Sequence, residues 1–158
     1  NFNIPELEVV DIVNGGELKA GVYQFAIQYS NASGDGYTSY YSVTNPTPIA
    51  NTQLTTLNFD YIVSQSIRID IKNIDATGYF QYYNIAVIKT INAITSVELV
   101  GTFFIDDTFD GAELDLYSVN GEYFKNVQSY AKILPIGIYG YILRTSSGVA
   151  IRGIVSIY

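Results

Sequence analysis

Five carboxylates in one short stretch form the densest group of side chains in this chain that could do chemistry. They are Asp106, Asp107, Asp110, Glu113 and Asp115, and they surround a turn that contains Gly111. Carboxylates one to four residues apart in a glycine turn can converge on one hard cation, so Asp106, Asp107 and Asp110 form a candidate Ca²⁺ site. The alternative is a solvated acidic turn, since the full EF-hand spacing is absent. No other cofactor is expected.

The residues that most hydrolases rely on are missing. The chain contains no His and no Cys, whereas nucleophilic triads need an imidazole or a substitute base. Paired carboxylates of the glycosidase kind remain as a remote alternative. We therefore expect a protein that is not an enzyme.

Tyrosine is the other abundant residue with binding potential, with 15 copies in 158 residues. Two clusters stand out, one at residues 37–41 and one at residues 79–83. Because tyrosine is amphipathic and enriched at the centres of interfaces, these two clusters predict partner-binding patches. Two other interpretations remain open, a platform for stacking sugars and simple filling of the core. The candidate interface residues are Tyr37, Tyr40, Tyr41, Tyr79 and Tyr82.

The elements that must position these side chains are strands. Tyr23, Phe25, Ile27 and Tyr29 recur at every second residue, which is the period of a strand with one buried face. Asn31–Gly36 then predicts a loop, which serves either as a connection or as a recognition tip. The following segment, Tyr37–Val43, is predicted to be a third strand.

Similar patterns recur along the chain. Ile67, Ile69 and Ile71 are expected to share one buried face, and Gln81–Thr90 is expected to be a long strand. The two prolines in Asn45–Pro48 predict an edge segment or a crossing loop, because proline lacks a donor for the ladder. The other predicted strands are Leu7–Val13, Gln53–Phe59, Ser66–Ile74 and Ser96–Ile105. In the last of these, Val97, Leu99, Phe103 and Ile105 are expected on one face, and Gly101 on the same face marks a candidate bulge or a close approach of the backbone.

About seven strands in roughly 105 residues, with turn signals every 8–12 residues, predict an all-β fold. The fold class is an antiparallel β-sandwich of the immunoglobulin or fibronectin type III kind, followed by a β-rich extension. We place the sandwich at residues 1–110 and the extension, or partial second unit, at 111–158. Within the extension Asn120–Gly121 predicts a hairpin, with a helix over Tyr123–Ile133 as the alternative, and residues 139–158 predict a closing hairpin.

Charge and composition restrict the partners. Eight basic residues stand against fifteen acidic ones, for a formal net charge of −7, and the basic residues are scattered. Nucleic-acid binding is therefore not expected, nor is a membrane-spanning helix, because no long apolar run exists. The chain has no Met, so Asn1 is not expected to be a translation start, and Asn1–Pro5 is interpreted as an entering linker.

Several of these strands resemble one family. Leu18–Tyr29, the glycine turn at Gly34–Gly36, the Thr/Ser-rich segment Tyr37–Ser42 and Asn45–Pro46 follow one another as they do in phage structural proteins. Further matching segments are Ser66–Ile69, Tyr82–Val87, Val97–Gly101 and Phe104–Thr108. Asn3 to Thr108 thus resembles the fibronectin-like domain of large tail-hub and stabilisation (muzzle-like) proteins of short-tailed, crAss-like phages.

The resemblance implies a structural role in a virion tail without catalysis. Its expected partners are other virion proteins and further copies of the chain. The alternative is a secreted bacterial adhesion or carbohydrate-binding module, at the cell surface or outside the cell, in which the acidic turn and the tyrosines would act directly.

Overall fold

The protein is built from antiparallel strands. The computed structural model describes residues 1–50 and 62–118 in full and, beyond these, the backbone of three further strands. The strands are β1 (Glu6–Lys19), β2 (Gly21–Ser30), β3 (Thr47–Ile49), β4 (Ile62–Lys72), β5 (Tyr82–Ile91), β6 (Ile94–Phe104), β7 (Phe109–Leu116), β8 (Phe124–Ala131), β9 (Gly137–Arg144) and β10 (Ala150–Ile157). Over the described residues, no helix long and apolar enough to traverse a bilayer is found.

Two four-stranded sheets form the sandwich. The first has the order β1-β4-β7-β8 and the second the order β3-β2-β5-β6, while β9 and β10 pair as a separate two-stranded sheet. The core between the sheets contains Ile67, Ile69 and Leu114 from the first and Phe25 and Ile85 from the second. The predicted all-β sandwich is therefore confirmed.

The alternating isoleucines behave as predicted. Ile67, Ile69 and Ile71 are at most 1% exposed, whereas Arg68 on the opposite face is partly exposed. Burying each such side chain contributes about 1.5–3 kcal/mol. A one-residue slip of β4 would turn all three outward, so this burial also determines the register of β4 between β1 and β7.

The predicted third strand, Tyr37–Val43, is wrong. In place of a continuous ladder, this region forms two isolated bridges with β2, Ile27 with Tyr41 and Ser30 with Gly36. Ser42 has a positive φ of 55°, which breaks the extended backbone. The hydroxyls of Thr38 and Thr44 accept hydrogen bonds from the backbone N–H groups of Tyr29 and Phe25. Side chains therefore take positions that strand carbonyls would occupy.

The prediction of which β6 side chains face the core is wrong before the bulge of this strand and correct after it. Ile85 pairs with Gly101 but the next residue of β5, Ala86, pairs with Leu99, so Val100 is an extra, bulged residue. The bulge turns Val97 and Leu99 outward, 64% and 45% exposed, and points Val100 inward at 7%. Phe103 and Ile105 lie on the core side as predicted. The candidate bulge beside Gly101 is confirmed.

Other boundaries differ in detail. The first strand was predicted to end at Val13, but β1 continues past an irregularity after Asn14 to Lys19. Thr47–Ile49 is the short edge strand that the prolines allowed. Asn92 and Ala93 form the β5–β6 turn. The predicted strand Gln53–Phe59 and the Asn120–Gly121 turn lie outside the described residues.

The region after the acidic turn is β-structured. β8 pairs antiparallel with β7, so the alternative helix over Tyr123–Ile133 is wrong, and β9 and β10 form the closing hairpin. β7 begins at Phe109 and pairs with β4, so the first sheet runs across residue 110. The division of the chain at that residue stays a prediction.

Candidate binding surface

Aromatic side chains from three separate segments meet at one end of the sandwich. They line an open cleft of about 540 Å³ formed by Phe2, Tyr37, Thr38, Tyr41, Tyr79 and Phe80. The contributing segments are the N-terminal residues, the β2–β3 connection and the β4–β5 connection. We call this site the aromatic cleft. It unites Tyr37 and Tyr41 with Tyr79, three of the five tyrosines predicted to bind a partner.

The floor of the aromatic cleft is a stack of two rings. Phe80 lies 7% exposed over the fully buried Tyr29, with ring centroids 4.2 Å apart and an interplanar angle of 7°. Phe2 packs edge-on against both rings, at 5.7 Å from Tyr29 and 5.0 Å from Phe80. Aromatic pairs of this kind contribute about 0.5–1.5 kcal/mol beyond their buried area.

Hydrogen bonds at the Tyr29 hydroxyl tie the floor to two chain segments. This hydroxyl donates to the carbonyl of Asn3 and accepts from the backbone N–H of Asp75, both at 2.8 Å. Burial is the main cause that raises the pKa of Tyr29 to about 12. The hydroxyl therefore stays protonated at any physiological pH and keeps its donor bond to Asn3.

Asp75 completes the network beneath the aromatic cleft. Its buried carboxylate accepts hydrogen bonds from the Thr77 hydroxyl and backbone N–H and from the Asn3 N–H. The Thr77 hydroxyl is the largest of the causes that lower the pKa of Asp75, while burial opposes it. Because Asn3 is bonded on both its N–H and its carbonyl, the N-terminal segment is docked against the sandwich. Its interpretation as a linker was wrong.

The rim of the aromatic cleft is exposed and ready for contact. Tyr37 and Tyr79 are 65% and 73% exposed, the two largest values among the exposed tyrosines of the described residues. Tyr79 lies edge-on to Phe80 at 4.8 Å, and Tyr37 lies over it at 6.3 Å. None of the six lining residues is charged. The aromatic cleft thus offers ring faces and hydroxyls, a surface for apolar side chains or neutral hydroxylated ligands.

Sequence reasoning missed Phe2, Thr38 and Phe80. Phe80 follows the exposed Tyr79 directly, and an aromatic pair after a Gly turn is a usable signal that one ring points in and the other out. Phe2 was assigned to a linker, so nothing in its local pattern indicated the site.

The other two predicted tyrosines lie elsewhere. Tyr40 is 41% exposed but is not part of the cleft lining, and partial burial raises its pKa. Tyr82 packs edge-on against Phe104 across β5 and β6, with ring centroids 5.4 Å apart. Since even-numbered residues of β5 point away from the core, this pair lies on the outer face of the second sheet.

The acidic turn is organised by its own backbone. The Asp106 carboxylate accepts hydrogen bonds from the N–H and hydroxyl of Thr108, and the Asp106 carbonyl accepts one from Phe109. Asp106, Asp107 and Asp110 do not converge: no group of three or more acidic side chains able to hold a metal ion occurs in the part of the chain that the structure describes.

The two later carboxylates of that stretch belong to the first sheet. Asp115, 2% exposed, receives two hydrogen bonds from the Arg68 guanidinium at 2.8 and 3.1 Å. Glu113 lies 3.4 Å from the same guanidinium. These contacts, with Asp115 first, raise the pKa of Arg68. This pairing joins β4 to β7 on the outer face.

The Asn31–Gly36 loop is held firmly against the second sheet. The Asn31 side chain accepts from the N–H groups of Ser33 and Asp35. The fully buried Asn84 donates to the carbonyl of Gly34 at 2.7 Å. These bonds are typical of a structured connection, and the loop is not part of the aromatic cleft.

No protein-family model matches the chain, and no curated protein shows significant similarity to it.

Proposed function

We propose that this chain is a structural, non-catalytic domain of a phage tail that assembles a virion through protein–protein contacts. The observation that carries the assembly role is the aromatic cleft, with two exposed tyrosines above a buried aromatic floor and no charged lining residue. The virion setting is supported by the resemblance of residues 3–108 to fibronectin-like domains of phage tail proteins. The proposed location is the virion tail.

The aromatic cleft combines an exposed rim with a buried, rigid floor. Exposed tyrosines at a concave, uncharged site resemble the centres of protein interfaces, where aromatic anchors supply most of the binding free energy. Truncating such an anchor commonly costs 2 kcal/mol or more, roughly a thirtyfold loss of affinity. The partner that fits is a protein segment with an apolar or proline-containing stretch able to enter the aromatic cleft.

The test uses purified tail proteins encoded next to this chain's gene. We expect one of them to bind the chain, and the Tyr37→Ser/Tyr79→Ser double variant to bind it at least tenfold more weakly, as measured by calorimetry. Tyr40→Ser is the matched control, because Tyr40 is exposed but lies outside the aromatic cleft. Equal affinity of the double variant and the wild type would remove the aromatic cleft from the assembly role.

A carbohydrate-binding module outside the cell is the second candidate. The ring faces and hydroxyls of Tyr37 and Tyr79 favour it, since such rings can stack on sugars. A glycan array separates the two functions. Binding that disappears in the Tyr37→Ser/Tyr79→Ser variant supports the sugar role, and an array without hits leaves the assembly role.

A further inference from the structure

Strand β6 forms an open margin of the second sheet. Along Ile94–Val100, β6 lies beside β5 on one side, and no strand of the described part of the chain pairs with this stretch on the other. The whole strand is eleven residues long. Three of its apolar side chains are well exposed, Ile94 at 69%, Val97 at 64% and Leu99 at 45%. A long, apolar edge strand presents unpaired N–H and carbonyl groups that another strand can pair with.

Edge strands are normally protected from such pairing by charged side chains, proline or bulges, and these features are scarce along β6. Its one charged residue, Glu98, is engaged by Lys89 of β5 with N and O atoms 2.9 Å apart, so the edge carries no uncompensated charge. The bulge at Val100 is the one protective irregularity. It leaves a regular stretch of six residues, Ile94–Leu99, ahead of it.

The other edges with described side chains are poor partners for β6. β3 is three residues long and contains Pro48. β1 has two irregularities in its register and carries Glu6, Glu8 and Asp11. In a chain with a net charge of −7, a neutral edge is the place where two copies meet with the least repulsion. Among these edges, the best match for β6 is the β6 of a second copy.

We propose that two copies of this chain pair through β6 in antiparallel register about a twofold axis at Val97. In an antiparallel pair, two directly opposed residues point to the same face of the sheet. A twofold axis between two copies of one strand must therefore place a residue opposite its own copy. Centring on Val97 opposes it to its own copy and places Ser96 opposite Glu98, where the hydroxyl can donate to the carboxylate. Centring on Glu98 would oppose like charges.

This register also makes a continuous apolar stripe. Val97 and Leu99 of both copies fall on the outer face of the joined sheet, beside Thr95, so the exposed apolar area of each copy is covered by the other. The inference deepens the proposed assembly role and depends on it, since it names one partner as a second copy and one contact as β6.

The experiment measures the mass of the full chain by sedimentation equilibrium from micromolar to millimolar concentration. We expect a reversible dimer that Val97→Lys converts to a monomer, because two lysines would then face each other at the axis. Val22→Lys is the matched control, since Val22 is 38% exposed on the same face but lies on β2. It should leave the dimer intact.

A charge-swap mixture tests the register itself. Val97→Lys and Val97→Glu should each be monomeric alone and should form a heterodimer when mixed, with circular dichroism showing both folded. A wild-type chain that stays monomeric at millimolar concentration, or a dimer insensitive to Val97→Lys, overturns the inference. The proposed function would survive that result, because its own test depends on Tyr37 and Tyr79 and not on β6.

Discussion

The rings of Tyr29 and Phe80 lie parallel, with centroids 4.2 Å apart and 7° between their planes. Tyr29 is near the end of β2, and Phe80 belongs to the β4–β5 connection. The stack therefore fixes a loop to the sandwich and makes the floor of the aromatic cleft. The contribution of this stack to stability can therefore be measured separately from the contribution of the exposed rim to binding.

Removing the Phe80 ring should destabilise the whole domain. We expect Phe80→Ala to lower the free energy of unfolding by about 3–5 kcal/mol, since the buried ring leaves a cavity. Phe80→Leu keeps part of the volume and should lose clearly less. Urea denaturation followed by circular dichroism measures both. Equal losses for the two variants would mean that the ring stack is not what holds this loop.

Removing only the Tyr29 hydroxyl should loosen two distant segments. Tyr29→Phe keeps the stack but leaves the Asn3 carbonyl and the Asp75 N–H without this partner, at a cost of about 1–3 kcal/mol. Hydrogen exchange should accelerate in residues 2–5 and 73–80. Tyr23→Phe is the control, because the Tyr23 hydroxyl bonds one group, the Lys19 carbonyl. Unchanged exchange near Asn3 would contradict the prediction.

Asp75 should make the domain sensitive to acid. Hydrogen bonds from Thr77 and Asn3 lower the pKa of Asp75 in the folded state. Its stabilising contribution is therefore complete above the ordinary carboxyl pKa and is lost as the pH falls through the lowered folded value.

Thermal unfolding across the acidic range measures this contribution. In Asp75→Asn the melting temperature should be lower at neutral pH, and its fall on acidification should be shallower than in the wild type. Asp35→Asn, an exposed control within the β2–β3 connection, should keep the wild-type slope. A variant Asp75→Asn with that same slope would show that the carboxylate does not contribute through its charge.

The β5–β6 turn offers a stabilising substitution. Ala93 is exposed and has a positive φ of 60°, a conformation that costs an L-residue about 1–2 kcal/mol. We expect Ala93→Gly to raise the free energy of unfolding by about 0.5–1 kcal/mol, after the entropy of the more flexible unfolded chain is subtracted. Gly15→Ala is the mirror control: its φ is +87° with open space around it, and it should destabilise.

The sequence predicted those elements whose pattern was unbroken. Ile67, Ile69 and Ile71 alternate with polar residues, and one buried face follows directly from the strand period. Val97 and Leu99 belong to an equally regular pattern, yet one extra residue at Val100 reversed their face. Alternation in the sequence predicts which side chains face the core only as far as the next bulge. The signal of a bulge in the sequence is weak; here it is a single glycine, Gly101.

The candidate site was predictable in part for a different reason. The tyrosine clusters at 37–41 and 79–83 were visible because tyrosine is concentrated there. That Tyr37 and Tyr79 face one cleft depends on the packing of two connections that are far apart in sequence, and no local pattern encodes it. The Thr38 and Thr44 hydroxyls were missed as strand substitutes because their donors lie on β2, at Tyr29 and Phe25.

The fixed floor of the aromatic cleft determines what binding would cost. Phe80 and Phe2 are already held by Tyr29, so an incoming ligand needs no loop to fold around it. The entropy lost on binding within this domain falls mainly on the rotamers of Tyr37 and Tyr79, about 0.5–1.5 kcal/mol for each side chain immobilised. A preorganised site of this kind can reach useful affinity with a small contact area.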